Sequence, residues 1–95
     1  MLIKDIAIDG QVVTGFEIQL QNAKFISIIA KKGYIACGYL NLDTANMLND
    51  CAVIVKGVNS IDEMLTKQIF SISPNAHKLG IKPGMTGLEA VKLMI

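Results

Sequence analysis

The sequence predicts an α+β fold, with an N-terminal antiparallel β-meander followed by short helices alternating with one or two short strands. Residues 1–40 carry apolar side chains at period two between turn signals, a pattern typical of strands. The remaining residues carry serine, threonine and asparagine ahead of apolar positions at helical spacing. Strands followed by helices indicate one α+β domain over residues 1–95, with 1–40 mainly β and 41–95 mixed α/β.

The meander begins with a predicted hairpin. Asp9-Gly10 is a strong signal for a two-residue turn, so residues 2–8 are expected to pair with residues 11–20. The second strand alternates, and we expect its apolar set to face the core and its polar set to face solvent. The apolar set is Val12, Thr14, Phe16, Ile18 and Leu20, and the opposite set includes Gln11, Gly15, Glu17 and Gln19.

Two further strands complete the predicted meander, over residues 24–30 and 34–40, with Cys37-Gly38 inside the second of them. The strand at 24–30 is apolar on both faces, so both faces must be covered. Two arrangements are open at this stage. The protein's own helices cover both faces, or helices cover one face and another subunit covers the other.

The second half of the chain carries helix starts separated by short apolar runs. Ser, Thr and Asn side chains accept hydrogen bonds from the first free amides of a helix, and a glutamate three residues later completes a capping box. The predicted order is a helix capped by Asn41 or Asp43, a strand over 51–55, a helix opened by Ser60, a strand over 68–72, a helix over 74–79 ended by Gly80, and a terminal helix opened by Thr86.

The composition predicts self-association. Of the residues, 52% are hydrophobic and 18% are charged, whereas a typical domain has about 25% charged residues. A chain of 95 residues buries only part of its surface. We therefore expect other copies of the chain to cover some of its apolar side chains.

Charge and targeting signals limit the partners. The net charge is +1 and all nine basic residues are lysines, which argues against binding to nucleic acid or to an anionic membrane surface. The chain shows neither a signal-peptide pattern nor an apolar run of membrane-spanning length. Its two cysteines do not form a disulfide framework. We expect a soluble, cytoplasmic protein.

Three blocks of the sequence resemble the YunC-like family, a bacterial and archaeal group of unknown function. The blocks are Lys-Lys-Gly-Tyr-Ile-Ala-Cys-Gly-Tyr-Leu-Asn-Leu at 31–42, Ala-Val-Ile-Val-Lys-Gly-Val at 52–58 and Gly-Ile-Lys-Pro-Gly-Met-Thr-Gly-Leu-Glu-Ala at 80–90. The resemblance implies compact α+β domains whose N-terminal β region forms a homo-oligomer, with a tetramer as the expected state. It brings no known reaction, ligand or catalytic residue. Leu88 stands where members of the family often carry a basic residue.

Cys37 is the candidate nucleophile. A nearby cation or helix N-terminus lowers the pKa of a thiol and makes it reactive, and Lys31 and Lys32 precede Cys37 in the chain. The alternative interpretation is a small buried side chain in a packed strand, with Gly38 allowing close approach of a neighbour. The only histidine, His77, is distant in sequence and is expected on the polar side of a short helix.

Asn41, Asp43 and Lys56 are the candidate ligand-binding residues. Asn41 and Asp43 follow one predicted strand and Lys56 ends the next. Ligands in α/β folds gather just beyond the carboxyl ends of strands, and an ammonium there suits a small anion. The alternative interpretation makes Asn41 and Asp43 helix caps and Lys56 a solvated loop residue. The sequence indicates no metal site and no cofactor.

The sequence therefore favours a small homo-oligomer, a dimer or tetramer assembled through its N-terminal sheet, that acts as a binding or structural module. The rival hypothesis is a small-molecule enzyme that uses Cys37 as a thiolate near Lys56. The absence of GxSxG, HExxH and phosphate-loop motifs favours the first hypothesis.

Overall fold

A computed structural model describes all residues from Met1 to Ile95. The chain forms one six-stranded sheet and four short helices. The strands are β1 (Leu2–Ile8), β2 (Gln11–Gln19), β3 (Lys24–Ile29), β4 (Tyr34–Ala36), β5 (Ala52–Ile54) and β6 (Ser71–Ile72). The helices are α1 (Leu42–Met47), α2 (Ile61–Thr66), α3 (Pro74–Lys78) and α4 (Gly87–Lys92). The predicted α+β fold is confirmed.

The six strands lie side by side in chain order. Strands β1 to β4 form the predicted antiparallel meander. Strand β5 pairs parallel to β4, and the connection between them carries α1, as a parallel pair requires a crossover. Strand β6 closes the sheet antiparallel to β5. The parallel pair therefore places the carboxyl ends of β4 and β5 at the same edge of the sheet.

The first hairpin confirms the turn prediction. Asp9 and Gly10 have φ angles of 50° and 79°, as a two-residue type I′ turn requires. This turn sets the register, with Ile8 opposite Gln11 and Ile3 opposite Phe16.

The predicted orientation of β2 is wrong. Helices α2 and α4 cover one face of the sheet, here called the helix face, and β2 presents Val13, Gly15 and Glu17 to it. The apolar set that was expected in the core lies on the opposite, outer face, where Val12 is 67% exposed.

Two contacts with α2 determine this orientation. Gly15 has no side chain, and a Cβ there would lie 3.0 Å from two methyl carbons of Ile61. A carboxylate oxygen of Glu17 accepts a hydrogen bond from the Ile61 amide at 2.9 Å.

Two predicted strands are shorter by three residues or more in the structure, and the others differ by at most two residues. The strand expected over 34–40 ends at Ala36, so Cys37 and Gly38 follow the strand rather than lying inside it. The Cys37 carbonyl accepts a hydrogen bond from the Leu40 amide at 3.1 Å, which turns the chain. The strand expected over 68–72 is reduced to Ser71–Ile72, because Gln68 instead forms an isolated bridge with Thr86.

The predicted caps form, but the capping box expected at Ser60 and Glu63 is incomplete. The side chains of Asn41, Ser60, Ser73 and Thr86 each accept a hydrogen bond from an amide in the first turn of the helix that follows. Only the Thr86 cap forms a complete capping box. The Glu63 carboxylate accepts a hydrogen bond from the Asn59 amide, one residue before the Ser60 cap.

The two faces of the sheet are covered to different extents. On the helix face, the core combines sheet residues such as Ile26 and Ile35 with Met64 of α2 and Met94 following α4. On the outer face, α1 contacts β5, and Ala36, Ala45, Ala52 and Ile54 are buried outside that core. No helix is both long enough and apolar enough to cross a membrane.

Candidate functional site

A cleft of about 420 Å³ opens beyond the carboxyl ends of β4 and β5. Its walls are the loops that follow these two strands, residues 37–39 and 57–59, together with Ala23 and Lys24 before and at the start of β3. We call it the strand-end cleft. Its position is the one where α/β sheets bind ligands, because loops after adjacent parallel strands diverge there.

Cys37 lies at the inner side of the strand-end cleft and is 4% exposed. Its amide donates to the Ile26 carbonyl at 3.0 Å, and its sulfur accepts from the Ile26 amide at 3.4 Å. The thiol is also 4.0 Å from the Lys24 carbonyl oxygen, to which it donates. The β3–β4 ladder is thus extended by one residue pair, Ile26 and Cys37. In this pair the Cys37 sulfur accepts the bond that its carbonyl would normally accept, because that carbonyl is bonded to the Leu40 amide.

Lys24 joins the two walls of the cleft. Its ammonium donates to the Glu17 carboxylate at 3.4 Å and to the Asn59 carbonyl at 3.3 Å. The Glu17 side chain is 13% exposed, against 39% for that of Lys24. The ion pair therefore lies at the rim of the cleft, and its Glu17 carboxylate is the more buried of the two groups.

Lys56 belongs to the loop between the strand-end cleft and a second cleft on the other side of that loop. Its ammonium lies 3.8 Å from the centroid of the Phe70 ring, a cation–π contact in the second cleft. The structure brings the Lys56 stem towards Gly38, since a Cβ on Gly38 would lie 3.5 Å from Lys56 Cγ.

Asn41 is the N-cap of α1 and Asp43 lies in its first turn. Neither residue lines the strand-end cleft. The Asn41 side chain accepts a hydrogen bond from the Thr44 amide at 3.2 Å. Asp43 is exposed in the first turn of α1. His77 is exposed in the last turn of α3. No cluster of three or more His, Cys, Asp or Glu residues could hold a metal ion.

The sequence interpretation missed Lys24, Tyr39 and Asn59 as cleft residues. The predicted pairing of β3 with β4 brings Lys24 to the cleft, but no local pattern shows its contact with Asn59, which is far along the chain. Tyr39 carried a weak signal, because it follows the Cys37-Gly38 pair directly. Gly57, directly after Lys56, has a φ of 71°, a backbone conformation that glycine adopts without strain.

Two groups outside the cleft have raised pKa values. Burial, followed by the hydrogen bond from its hydroxyl to Asp50 at 2.7 Å, raises the pKa of Tyr34 from 10.0 to about 12. Burial also raises the pKa of the Cys51 thiol. Both residues lie at the other ends of β4 and β5, away from the strand-end cleft.

The family of this α+β protein follows from comparison with known proteins. Residues 36–94, which include both loops of the strand-end cleft, match the domain of unknown function DUF1805. The chain is 34% identical over 94 residues to the uncharacterized protein YunC of Bacillus subtilis (strain 168), covering 95% of this chain and 93% of YunC. The chain belongs to the DUF1805, YunC-like family, as its three sequence blocks had indicated.

A solved structure shares the whole fold. The crystal structure of TA1206, a protein of unknown function from Thermoplasma acidophilum, superimposes with a TM-score of 0.95 at 38% sequence identity. The similarity covers 99% of this chain and 92% of TA1206. This chain therefore shares its sheet and helices with that solved structure.

Proposed function

We propose that the protein is a cytoplasmic homo-oligomer, a dimer or tetramer, that acts as a binding or structural module. The observation that carries the proposal is the uncovered apolar surface on the outer face of β1 to β3. We call this surface the outer patch. It consists of Ile3, Val12, Phe16, Ile18, Phe25 and Ile29.

The outer patch combines exposed Ile3, Val12 and Ile29 with half-buried Phe16, Ile18 and Phe25. Ile3 is 61% exposed and Ile29 is 49% exposed, although both lie within strands. The rings of Phe16 and Phe25 stack with centroids 6.0 Å apart, and Phe25 stacks on Tyr39 at 6.2 Å. The aromatic row therefore crosses β2 and β3 and continues into the loop after β4.

The rest of the outer face is buried within the chain itself. Helix α1 covers β5, where Ala52 and Ile54 are buried. Ser27, between the aromatic row and α1, is also buried, and its hydroxyl donates to the Ile35 carbonyl at 2.8 Å. No water is needed to satisfy this hydroxyl, so a second apolar surface can lie against it without leaving a donor unpaired.

A second copy of the chain is the partner that fits the outer patch. Asp5 is the only charged residue that β1 to β3 place on this face, so the surface offers little charge for recognising an unlike partner. Two such faces pack about 10 Å apart with their strands nearly aligned, and a two-fold axis pairs identical surfaces.

The outer patch is smaller than a standard protein–protein interface, so the contact between two copies must include further residues. Three strands spaced by about 4.8 Å and about 20 Å long present roughly 300 Å². A standard interface covers about 800 Å² on each partner. Met47 and Leu48 of the α1 segment, which are 83% and 67% exposed, lie on the helix that stands on the same face and extend the contact.

Sedimentation velocity and native mass spectrometry test the proposal. The wild type is expected to be a dimer or tetramer at micromolar concentration, and the double variant Ile3→Glu, Val12→Glu is expected to be a folded monomer. Both side chains are exposed, so their replacement leaves the core intact. Phe70→Glu is the control, because Phe70 is 62% exposed but lies beside Lys56, outside the outer patch. A monomeric wild type contradicts the proposal.

The alternative function is a small-molecule enzyme that uses Cys37 as a thiolate near Lys56. The location of Cys37 in the strand-end cleft favours it, and the low exposure of its sulfur counts against it. Alkylation by iodoacetamide in a Cys51→Ala background tests it. A rate at Cys37 above that of a free model thiol supports a reactive thiolate, and a slower rate contradicts this role.

A further inference from the structure

Four backbone amides around the strand-end cleft form no hydrogen bond within the protein. They belong to Gly38 and Tyr39 in the loop after β4 and to Gly57 and Val58 in the loop after β5. Val58 is only 7% exposed, and buried amides nearly always have an acceptor. The two loops that line the cleft therefore carry amides that have no acceptor within the protein.

The charges around the loop at 56–59 leave a small positive excess. Three ammonium groups adjoin it: Lys24 donates to the Asn59 carbonyl, Lys67 donates to the Gly57 carbonyl at 3.2 Å, and Lys56 lies within the loop. Two carboxylates oppose them: Glu17 accepts from Lys24, and Glu63 accepts from the Asn59 amide at 3.2 Å. Lys56 and Lys67 line the second cleft, so the Lys24 ammonium is the one positive charge that the strand-end cleft offers to a ligand with one negative charge.

We propose that the strand-end cleft binds a small organic anion with a single carboxylate. The carboxylate oxygens accept hydrogen bonds from the free amides of the two loops and lie near the Lys24 ammonium. The apolar part of the ligand packs against the ring of Tyr39. The volume of about 420 Å³ is within the range of about 300–1,000 Å³ that is usual for small-molecule sites. The residues of this site come from one chain, although its Tyr39 ring also stacks on Phe25 of the outer patch.

Nuclear magnetic resonance titration of the intact protein tests the site with acetate and benzoate as probes. We expect saturable shifts of the Gly38, Tyr39, Gly57 and Val58 amide signals, with benzoate binding more tightly because its ring contacts Tyr39. Sodium chloride at equal ionic strength is expected to leave these signals unchanged. No saturable shift with either carboxylate overturns the proposal, and tighter binding of inorganic phosphate overturns the assignment of a single negative charge.

Variants separate the contributions of charge and space. Lys24→Gln is expected to weaken benzoate binding about tenfold or more, since it removes a charged donor. Lys78→Gln, at the end of α3, is the matched control and is expected to change nothing. Gly38→Leu is expected to abolish binding by filling the cleft, because Gly38 lacks a positive φ and its Cβ would only touch the Lys56 stem. Unchanged binding in both Lys24→Gln and Gly38→Leu overturns the proposal.

The same titration on the Ile3→Glu, Val12→Glu variant keeps the two proposals distinct. Retained binding by this variant supports a cleft contained within one chain. Loss of benzoate binding when the oligomer dissociates overturns the proposal that one chain forms the site, and shows that the assembled oligomer is needed for binding. A wild type found to be monomeric contradicts only the self-association, because the cleft signals are still observable.

Discussion

The sulfur atom of Cys37 and the backbone amide nitrogen of Ile26 lie 3.4 Å apart and share a hydrogen bond that substitutes for one rung of the β3–β4 ladder. The carbonyl that would normally accept this bond is used by the Leu40 amide to turn the chain. The thiol therefore has a structural task at the point where the strand ends and the strand-end cleft begins. This task accounts for a cysteine at this position without any reaction.

We expect Cys37→Ala to destabilise the protein by about 1–3 kcal/mol, because it leaves the buried Ile26 amide without an acceptor. Cys37→Ser retains an acceptor and should lose less. Cys51→Ala serves as the control, since the Cys51 sulfur makes no hydrogen bond and is only half-buried. Urea denaturation provides the measurement. Equal losses for Cys37→Ala and Cys51→Ala would show that the hydrogen bond contributes nothing.

Gly87→Ala is expected to destabilise the protein, although alanine normally stabilises a helix relative to glycine. A Cβ on Gly87 would overlap the carbonyl oxygen of Met64, where α4 crosses α2. The backbone must move to relieve this overlap, at a cost of about 1–3 kcal/mol. Gly38→Ala is the matched control, since its Cβ meets nothing closer than 3.5 Å. Thermal unfolding of the two variants should show a large decrease in Tm for Gly87→Ala alone.

Local signals predicted the elements well because their causes are local. The Asp9-Gly10 turn needs only two residues that tolerate positive φ, and both have it. The four helix caps need a short polar side chain within three residues of the amide it binds, and Asn41, Ser60, Ser73 and Thr86 each supply one. The Ser60 cap lacks the reciprocal glutamate bond that was predicted for it. Strand and helix boundaries of this kind are readable from the sequence.

The orientation of β2 and most of the residues that line the cleft could not be predicted, because their causes are not local. Alternation in β2 separates two sets of side chains, but Gly15 and Glu17 face the core only because α2 packs on them from far along the chain. The apolar pattern alone favoured the opposite face. Likewise, the strand-end cleft depends on the pairing that brings Lys24 beside Asn59.

Two ion pairs of equal length should differ in their effect on stability. Lys24 lies 3.4 Å from Glu17 and Lys4 lies 3.4 Å from Asp62, but the Glu17 side chain is 13% exposed and that of Asp62 is 80% exposed. Because Glu17 also accepts from the Ile61 amide, Glu17→Gln should cost about 1–2 kcal/mol. Asp62→Asn should change stability by less than about 0.5 kcal/mol.

Urea denaturation at low and high salt measures both ion-pair variants. Added salt should reduce the small effect of Asp62→Asn further, because exposed charges are screened, and should change the effect of Glu17→Gln less. A Glu17→Gln variant as stable as Asp62→Asn would contradict a structural role for the partly buried carboxylate.

The raised pKa of Tyr34 predicts a loss of stability at alkaline pH. The folded protein keeps the Tyr34 hydroxyl neutral up to about pH 12, whereas the unfolded chain releases this proton near pH 10.0. The stabilisation is therefore complete below pH 10.0 and decreases as the pH rises towards about 12. Tyr34→Phe removes both this titration and the hydrogen bond to Asp50. Its free energy of unfolding should be lower than that of the wild type at pH 8, and the difference should narrow above pH 10.0. Urea denaturation of both proteins across this range provides the test, and a constant difference would contradict it.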